Sequence, residues 1–140
     1  FSEYGNNFLK TMLRLCDGRD ELSIIGDQLG CPTYAQDIAK LIVSILSLLD
    51  LKGSSSGIFH YYGDEPCSWY DFARALFLDA EEQGLQTPSY VKSITTADYP
   101  TPATRPAYSV LDCNKVKSCF DITGSNWRYG IKIAIDRLQR

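Results

Sequence analysis

Three loop stretches carry side chains that could bind a polar or anionic ligand. They read GNNF at 5–8, DQLGCPT at 27–33 and TPATRP at 101–106. Each lies beside a predicted helix or strand, and loops supported by a scaffold commonly carry binding groups. In the third stretch Arg105 stands directly before Pro106, and the neighbouring prolines restrict the backbone. Two interpretations stay open from the residues alone: a rigid spacer with a solvent-exposed arginine, and a stiff loop that holds the Arg105 side chain toward a ligand.

Several other kinds of chemistry have no motif in the chain. The ten glycines form neither G-x-G-x-x-G nor G-x-x-x-x-G-K-[ST], and no G-x-S-x-G is present. Five cysteines without a C-x-x-C pair and a single histidine argue against a zinc site and against a disulfide framework. A small loop residue is favoured over a reactive thiol for Cys31, and a structural role over a catalytic one for His60.

The net charge and the hydropathy of the chain argue against two kinds of partner, nucleic acid and membrane. The net charge is −3 and no basic run occurs, which argues against nucleic-acid binding. The longest apolar stretch, LIVSILSLL at 41–49, is about half the ~20 residues that cross a bilayer, so we interpret it as a buried helix and expect no membrane partner. No signal peptide is recognised in the opening residues, and the cysteine usage suits a reducing compartment. A cytoplasmic location is expected.

Helices and strands that would position these loops alternate along the chain. Helices are predicted after Asn6 or Asn7, after Thr33, after Ser68, near Cys113 and after Asn126, and strands at ELSIIG, IFHYYG and YVKSITT. Ser68 and Asp71 form a shortened capping box, and Gly84 suits the end of that helix. The alternation predicts an α/β fold.

Five blocks of sequence resemble, in order, the C-terminal half of the dTDP-4-dehydrorhamnose reductase family. The blocks are GNNFLKTMLRL, ELSIIGDQLGCPT, GIFHYYGDEPCSWYDFARALF, YPTPATRPAYSVLD and NWRYGIKIAIDRL, and they cover nearly the whole chain. The family belongs to the extended short-chain dehydrogenase/reductases. The resemblance implies a Rossmann-type enzyme that reduces dTDP-4-dehydrorhamnose to dTDP-rhamnose, a precursor of bacterial surface polysaccharide.

The resemblance also implies that part of such an enzyme is missing here. In the family an N-terminal domain binds NADPH or NADH, and a Tyr-x-x-x-Lys tyrosine is the acid. None of the nine tyrosines of this chain has Lys four residues later, and the glycine loop is missing as well. We therefore expect residues 1–140 to be the substrate-binding C-terminal half of the protein, without catalytic residues and inactive alone.

Binding roles are implied only where this sequence matches the motifs of the family. Asn7 resembles a polar position near the sugar diphosphate. Gln28, Pro32 and Thr33 resemble the loop that lines the sugar and base pocket. Arg105 resembles the arginine that binds the diphosphate.

The resemblance extends to how the protein would assemble. The helix near 34–51 and the strand near 57–62 are expected to pack on the absent Rossmann domain. Some members dimerise through a carboxylate-bound Mg²⁺, but Gln36 occupies one such carboxylate position, which argues against that metal. A homodimer remains open. Two alternatives also remain open: a reductase-like, non-catalytic regulatory subunit, and the lobe of a related epimerase or dehydratase.

Overall fold

The computed structural model describes residues 1–52 and 56–140, with only the backbone for residues 49–52. Five helices, four strands and one 3₁₀ turn are formed in the described chain. In order, they are α1 (Phe8–Cys16), β1 (Glu21–Ile25), β2 (Leu29–Gly30), α2 (Ala35–Lys52), β3 (Cys67–Ser68), α3 (Trp69–Glu82), β4 (Tyr90–Ile94), the 3₁₀ turn (Thr96–Asp98), α4 (Asn114–Phe120) and α5 (Trp127–Leu138).

The strands form two small sheets. β1 and β4 are parallel, with Glu21 opposite Tyr90 and Ile25 opposite Ile94. β2 and β3 are antiparallel and pair only through two residues each. The parallel β1–β4 pair is connected through α3, which is the arrangement of an α/β unit and agrees with the predicted fold class.

Helix α3 is held at both ends by the capping residues that the sequence predicts. Ser68 Oγ accepts a hydrogen bond from Asp71 N at 3.0 Å, and Ser68 N donates to Asp71 Oδ2 at 3.1 Å. At the other end Gly84 adopts a φ of +78°, a left-handed conformation that favours glycine. The capping box fixes the first residue of α3, and therefore the position of Trp69 in the first turn of that helix.

The hydrophobic core lies between α1, α3, α5 and the inner face of β1. Trp127, at the start of α5, is fully buried. Its ring meets Phe72 of α3 edge-on at a centroid distance of 5.6 Å, and its Nε1 donates to the Glu65 carbonyl at 3.0 Å. Leu9 of α1 and Leu76 of α3 are likewise fully buried. This core supports the segments at both ends of α3.

Two predicted details differ from the structure. Residues 57–62 form no strand, since the nearest backbone pairing is an isolated bridge between Gly63 and Ser125. A strand needs a neighbouring strand to satisfy its backbone groups, and within 57–62 the only main-chain pairing that the described chain supplies is the hydrogen bond from Ser125 N to the Tyr62 carbonyl. His60 in this segment is exposed rather than buried. In addition, α2 begins at Ala35, and the Thr33 hydroxyl donates to the Cys31 carbonyl at 3.2 Å instead of capping the helix.

A polar triad of buried Tyr34 and Glu3 with the exposed Arg137 joins the start of α2 to the segment before α1 and to α5, at the two ends of the chain. Tyr34 Oη donates to Glu3 Oε2 at 3.0 Å, and Arg137 Nη1 donates to Glu3 Oε1 at 2.7 Å. Burial raises the pKa of the Glu3 carboxyl, but the hydrogen bonds from Arg137, the backbone and Tyr34 outweigh burial and leave that pKa lowered. Burial and the hydrogen bond to Glu3 raise the pKa of Tyr34 to about 12.

The raised pKa of Tyr34 predicts a loss of stability at high pH. The unfolded state releases the phenol proton near its ordinary pKa of 10.0, whereas the folded state keeps it to about 12. The stabilisation is complete below pH ~10 and disappears as the pH rises through the folded pKa, a loss of roughly 3 kcal/mol. Urea unfolding at several pH values measures it. The Tyr34→Phe variant should lack this part of the pH dependence, and an unchanged slope would contradict the assignment.

Candidate functional site

A cleft of about 350 Å³ lies where β2, β3 and the start of α3 meet the loop that carries the TPATRP stretch at 101–106. Its lining comes from residues 28–32, residues 67–69 with Phe72, and Arg105, Pro106 and Ser109. Three of the predicted binding residues, Gln28, Pro32 and Arg105, therefore line one cavity, although they are far apart in the sequence. The lining mixes apolar surface with a few polar groups, as small-molecule sites commonly do.

The loop that carries Arg105 is attached to β2 by main-chain hydrogen bonds. Leu29 N donates to the Ala107 carbonyl at 2.8 Å, and Ser109 N donates to the Leu29 carbonyl at 2.9 Å. The Ser109 hydroxyl also donates to the Leu29 carbonyl, at 3.1 Å. Arg105 lies two residues before the first of these contacts. The loop is thus positioned by pairing with β2 as well as by its prolines.

The Arg105 side chain is exposed at the cleft, and none of the ion pairs among the described residues involves it. A guanidinium without an ion-pair partner can direct its donors to an anionic ligand without first breaking a protein contact. The arrangement suits a phosphate group at this end of the cleft.

Gln28 forms the floor of the cleft next to β1. The side chain is only 6% exposed, and its Nε2 donates to Thr96 Oγ1 at 3.0 Å. Asp27, the preceding residue, accepts from the Thr96 backbone N–H and hydroxyl. These bonds from Thr96 lower the pKa of the Asp27 carboxyl further below its ordinary value and so favour the ionised form.

Asn7 and Thr33 use their side chains for local structure outside the cleft. Asn7 Oδ1 accepts from Lys10 N at 3.2 Å as the cap of α1, and Asn7 Nδ2 donates to the Ser2 and Tyr4 carbonyls. Thr33 follows the cleft residue Pro32 but donates to the Cys31 carbonyl. Their assignment as substrate contacts stays a prediction with no direct geometric support in the described chain.

Trp69 and Phe72 of α3 also line the cleft, and neither is among the site residues predicted from the sequence. Trp69 is 37% exposed, and its ring packs against Phe8 at a centroid distance of 4.7 Å. The capping box of Ser68 and Asp71 could have indicated Trp69 as a site residue. It places Trp69 in the first turn of α3, beside the loop, where one face of the ring can stay uncovered. The cleft therefore has an aromatic wall in addition to its cation.

The two cysteines of the cleft are poor nucleophiles. Burial is the main cause that raises the pKa of Cys31 to about 11 and the pKa of Cys67 to about 12, so both thiols stay protonated at neutral pH. Among the side chains that the structure describes, those of residues 1–48 and 56–140, no group of three or more His, Cys, Asp or Glu could hold a metal ion.

None of the helices in the described part of the chain combines the length and apolarity needed to cross a membrane.

Comparison with known proteins shows close relatives. A dTDP-4-dehydrorhamnose reductase of Aggregatibacter actinomycetemcomitans is 49% identical over 135 residues, covering 94% of this chain and 46% of the relative. The dTDP-4-dehydrorhamnose reductase of Escherichia coli (strain K12) is 35% identical over 135 residues, covering 96% of this chain and 45% of the relative. The chain thus spans just under half the length of these relatives.

Solved structures give the same result for the fold. A dTDP-4-dehydrorhamnose reductase from Clostridium acetobutylicum superposes with a TM-score of 0.81 at 37% identity, covering 97% of this chain and 45% of that one. The Bacillus anthracis reductase, solved in complex with NADP, gives 0.76 at 33% identity, covering 98% and 45%. The predicted α/β fold and resemblance to these reductases are confirmed. A family model described as the RmlD substrate binding domain matches residues 1–140, and the chain belongs to that family.

Proposed function

We propose that the full-length protein is a reductase that converts dTDP-4-dehydrorhamnose to dTDP-rhamnose, and that this chain is its substrate-binding lobe. The observation that carries the proposal is the cleft in which Arg105, Gln28 and Pro32 meet. It offers a cation for a diphosphate and an aromatic and amide surface for the remainder of a nucleotide sugar. The relatives named above support this choice of substrate.

The chain would contribute binding and orientation to this reaction. Arg105 would hold the diphosphate, and the floor and aromatic wall of the cleft would orient the attached groups. A nicotinamide cofactor would supply the hydride that reaches the C4 ketone. The chain contains no glycine-rich phosphate loop and no Tyr-x-x-x-Lys, so its own residues do not fit that cofactor. We assign the binding of NADPH or NADH and the donation of the proton to the remainder of the full-length protein. We also propose a cytoplasmic location.

Consumption of reduced nicotinamide by the full-length protein tests the proposal. Oxidation of NADPH should require dTDP-4-dehydrorhamnose, and the 140-residue chain alone should be inactive. If the full-length protein binds dTDP-rhamnose but oxidises neither NADPH nor NADH, it is a non-catalytic binding subunit. If it converts a nucleotide sugar without net consumption of reduced nicotinamide, it is an epimerase or dehydratase.

We further propose that α2 packs on the remainder of the full-length protein. Its exposed face carries four large apolar side chains, between 39% and 64% exposed: Ile38, Ile42, Val43 and Leu46. A contiguous apolar helix face of this kind usually has a partner. The relatives are about twice as long as this chain, which leaves a segment large enough to cover the face.

The Val43→Glu variant tests this packing. In the full-length protein it should lower the free energy of unfolding by about 2 kcal/mol or more, because a buried valine is lost and a charge is placed in an apolar contact. In the 140-residue chain it should not destabilise, and it should reduce self-association in sedimentation. Leu78→Glu is the matched control, since Leu78 is 58% exposed and belongs to a different helix, α3. Equal effects of Val43→Glu in the two lengths would contradict the proposal.

A further inference from the structure

Two consecutive hydrogen bonds join three side chains, one of which, that of Gln28, lies at the floor of the cleft. Gln28 Nε2 lies 3.0 Å from Thr96 Oγ1, and Thr96 Oγ1 lies 2.8 Å from Asp27 Oδ1. The Thr96 backbone N–H also donates to Asp27, at 2.9 Å. The chain of bonds connects the segment after β1 with the 3₁₀ turn after β4.

The direction of these bonds follows from the proton count. A threonine hydroxyl has one proton to donate, and an ionised carboxylate can only accept. The bonds from Thr96 keep the pKa of Asp27 low, so the hydroxyl proton is committed to Asp27. Thr96 Oγ1 must then accept from Gln28, and only the amide nitrogen of Gln28 can donate. The orientation of the Gln28 amide is thereby determined by its neighbours rather than left to free rotation.

With the amide nitrogen committed to Thr96, the amide oxygen of Gln28 points elsewhere. No hydrogen bond among the described residues reaches Gln28 Oε1, and no fully buried side-chain oxygen or nitrogen in the described chain lacks a partner. Oε1 is therefore accessible, although the residue as a whole is 6% exposed. Gln28 lines the cleft, so this is the cavity that an accessible Oε1 can reach.

We infer that Asp27 and Thr96 are positioning residues that hold Gln28 Oε1 in the cleft as a hydrogen-bond acceptor. The cleft would thus select a ligand with a neutral donor at that point, either the imide N–H of a thymine base or a sugar hydroxyl. The inference rests on the proposed function and adds to it which hydrogen-bonding group of the ligand the cleft selects. An amide turned the other way would present a donor and would leave the ligand's donor unpaired, which is costly in a desolvated site.

The Thr96→Val variant of the full-length protein tests the inference. Valine keeps the shape and the backbone N–H of Thr96 but removes the hydroxyl, so that the Gln28 amide can rotate. Calorimetric titration should show dTDP-rhamnose binding weakened by roughly 3- to 10-fold. Inorganic pyrophosphate, used as a competitor, should bind as in the wild type because it contacts only the cationic end. Thr96→Ser should restore the wild-type affinity.

A neighbouring threonine supplies the matched control. Thr95 Oγ1 donates to Asp98 Oδ2 at 2.7 Å, a similarly short bond that does not involve Gln28. Thr95→Val should leave dTDP-rhamnose binding unchanged. Titration with dTDP and with its N3-methyl derivative identifies the donor. An effect of Thr96→Val on dTDP that N3-methylation abolishes assigns the imide, and an effect confined to dTDP-rhamnose assigns a sugar hydroxyl.

The outcomes separate this inference from the proposed function. If the wild type binds dTDP-rhamnose and Thr96→Val binds it equally well, the positioning role is wrong and the proposed function stands. The positioning role is also wrong if Thr96→Val weakens pyrophosphate and dTDP-rhamnose by the same factor, since that indicates general damage to the cleft. If the wild type binds neither dTDP nor dTDP-rhamnose, the proposed function fails and the inference fails with it.

Discussion

Replacement of Arg105 by alanine is expected to raise the KM of the full-length protein for its dTDP-sugar substrate by roughly 10- to 100-fold. A guanidinium paired with a phosphate contributes about 1.5–3 kcal/mol, and ~1.4 kcal/mol corresponds to a factor of ten. The kcat should change much less, because Arg105 would contact the diphosphate and not the reacting ketone. Steady-state kinetics with NADPH in excess separates the two parameters.

The structure predicts that Arg105→Ala weakens substrate binding without changing the backbone conformation of the loop. The loop is held by backbone hydrogen bonds between Leu29 and both Ala107 and Ser109, and these do not involve the Arg105 side chain. Arg105→Lys should be intermediate, because the ammonium keeps the charge but lacks the planar pair of donors. Arg74→Ala is the control, since Arg74 is an exposed arginine on α3 outside the cleft. An unchanged KM for Arg105→Ala would remove Arg105 from the binding site.

Replacement of Gly63 by alanine is expected to lower the free energy of unfolding by about 3 kcal/mol. A Cβ at this position would collide with the Pro32 backbone carbonyl oxygen and would lie 3.0 Å from Trp127 Cδ1. Neither neighbour can yield easily, because one is backbone and the other is a fully buried ring. Gly63 itself is held in place, since Asp64 N donates to the Ser125 carbonyl at 2.8 Å and Ser125 N donates to the Tyr62 carbonyl at 3.1 Å. Urea unfolding of the 140-residue chain measures the change.

The same substitution should also weaken substrate binding, because Pro32 lines the cleft. The control is Gly84→Ala, where φ is +78° and no atom lies within 4 Å of the added Cβ. That variant should cost about 1 kcal/mol through backbone strain alone and leave the KM unchanged. If Gly63→Ala is as stable as the wild type, the contact between Gly63 and Pro32 is looser than the structure indicates.

Helix α3 shows what local sequence can predict well. Ser68, Asp71 and Gly84 act through neighbours three residues away or through their own backbone angles, so the pattern alone predicts where the helix begins and ends. The amphipathic pattern likewise identifies Phe72 and Leu76 as core residues. Residues 57–62 show the opposite case. Their apolar pattern predicts a strand, but a strand also requires a partner strand, and the described chain provides only an isolated bridge beside this segment, between Gly63 and Ser125.

By itself, the sequence determined the α/β class and the caps of α1, α3 and α5, which depend on residue chemistry and on short-range spacing. Its resemblance to the reductase family indicated Arg105 as a candidate phosphate ligand. Only the tertiary structure decided which candidates share a cavity, because the cleft is closed by bonds such as that between Ser109 and Leu29, which are 80 residues apart. It placed Gln28 and Arg105 in the cleft, committed Asn7 to a helix cap, and oriented the Gln28 amide through Thr96. The direction of a side chain and the pairing of distant segments depend on packing between residues far apart in the sequence. No local sequence pattern specifies that packing.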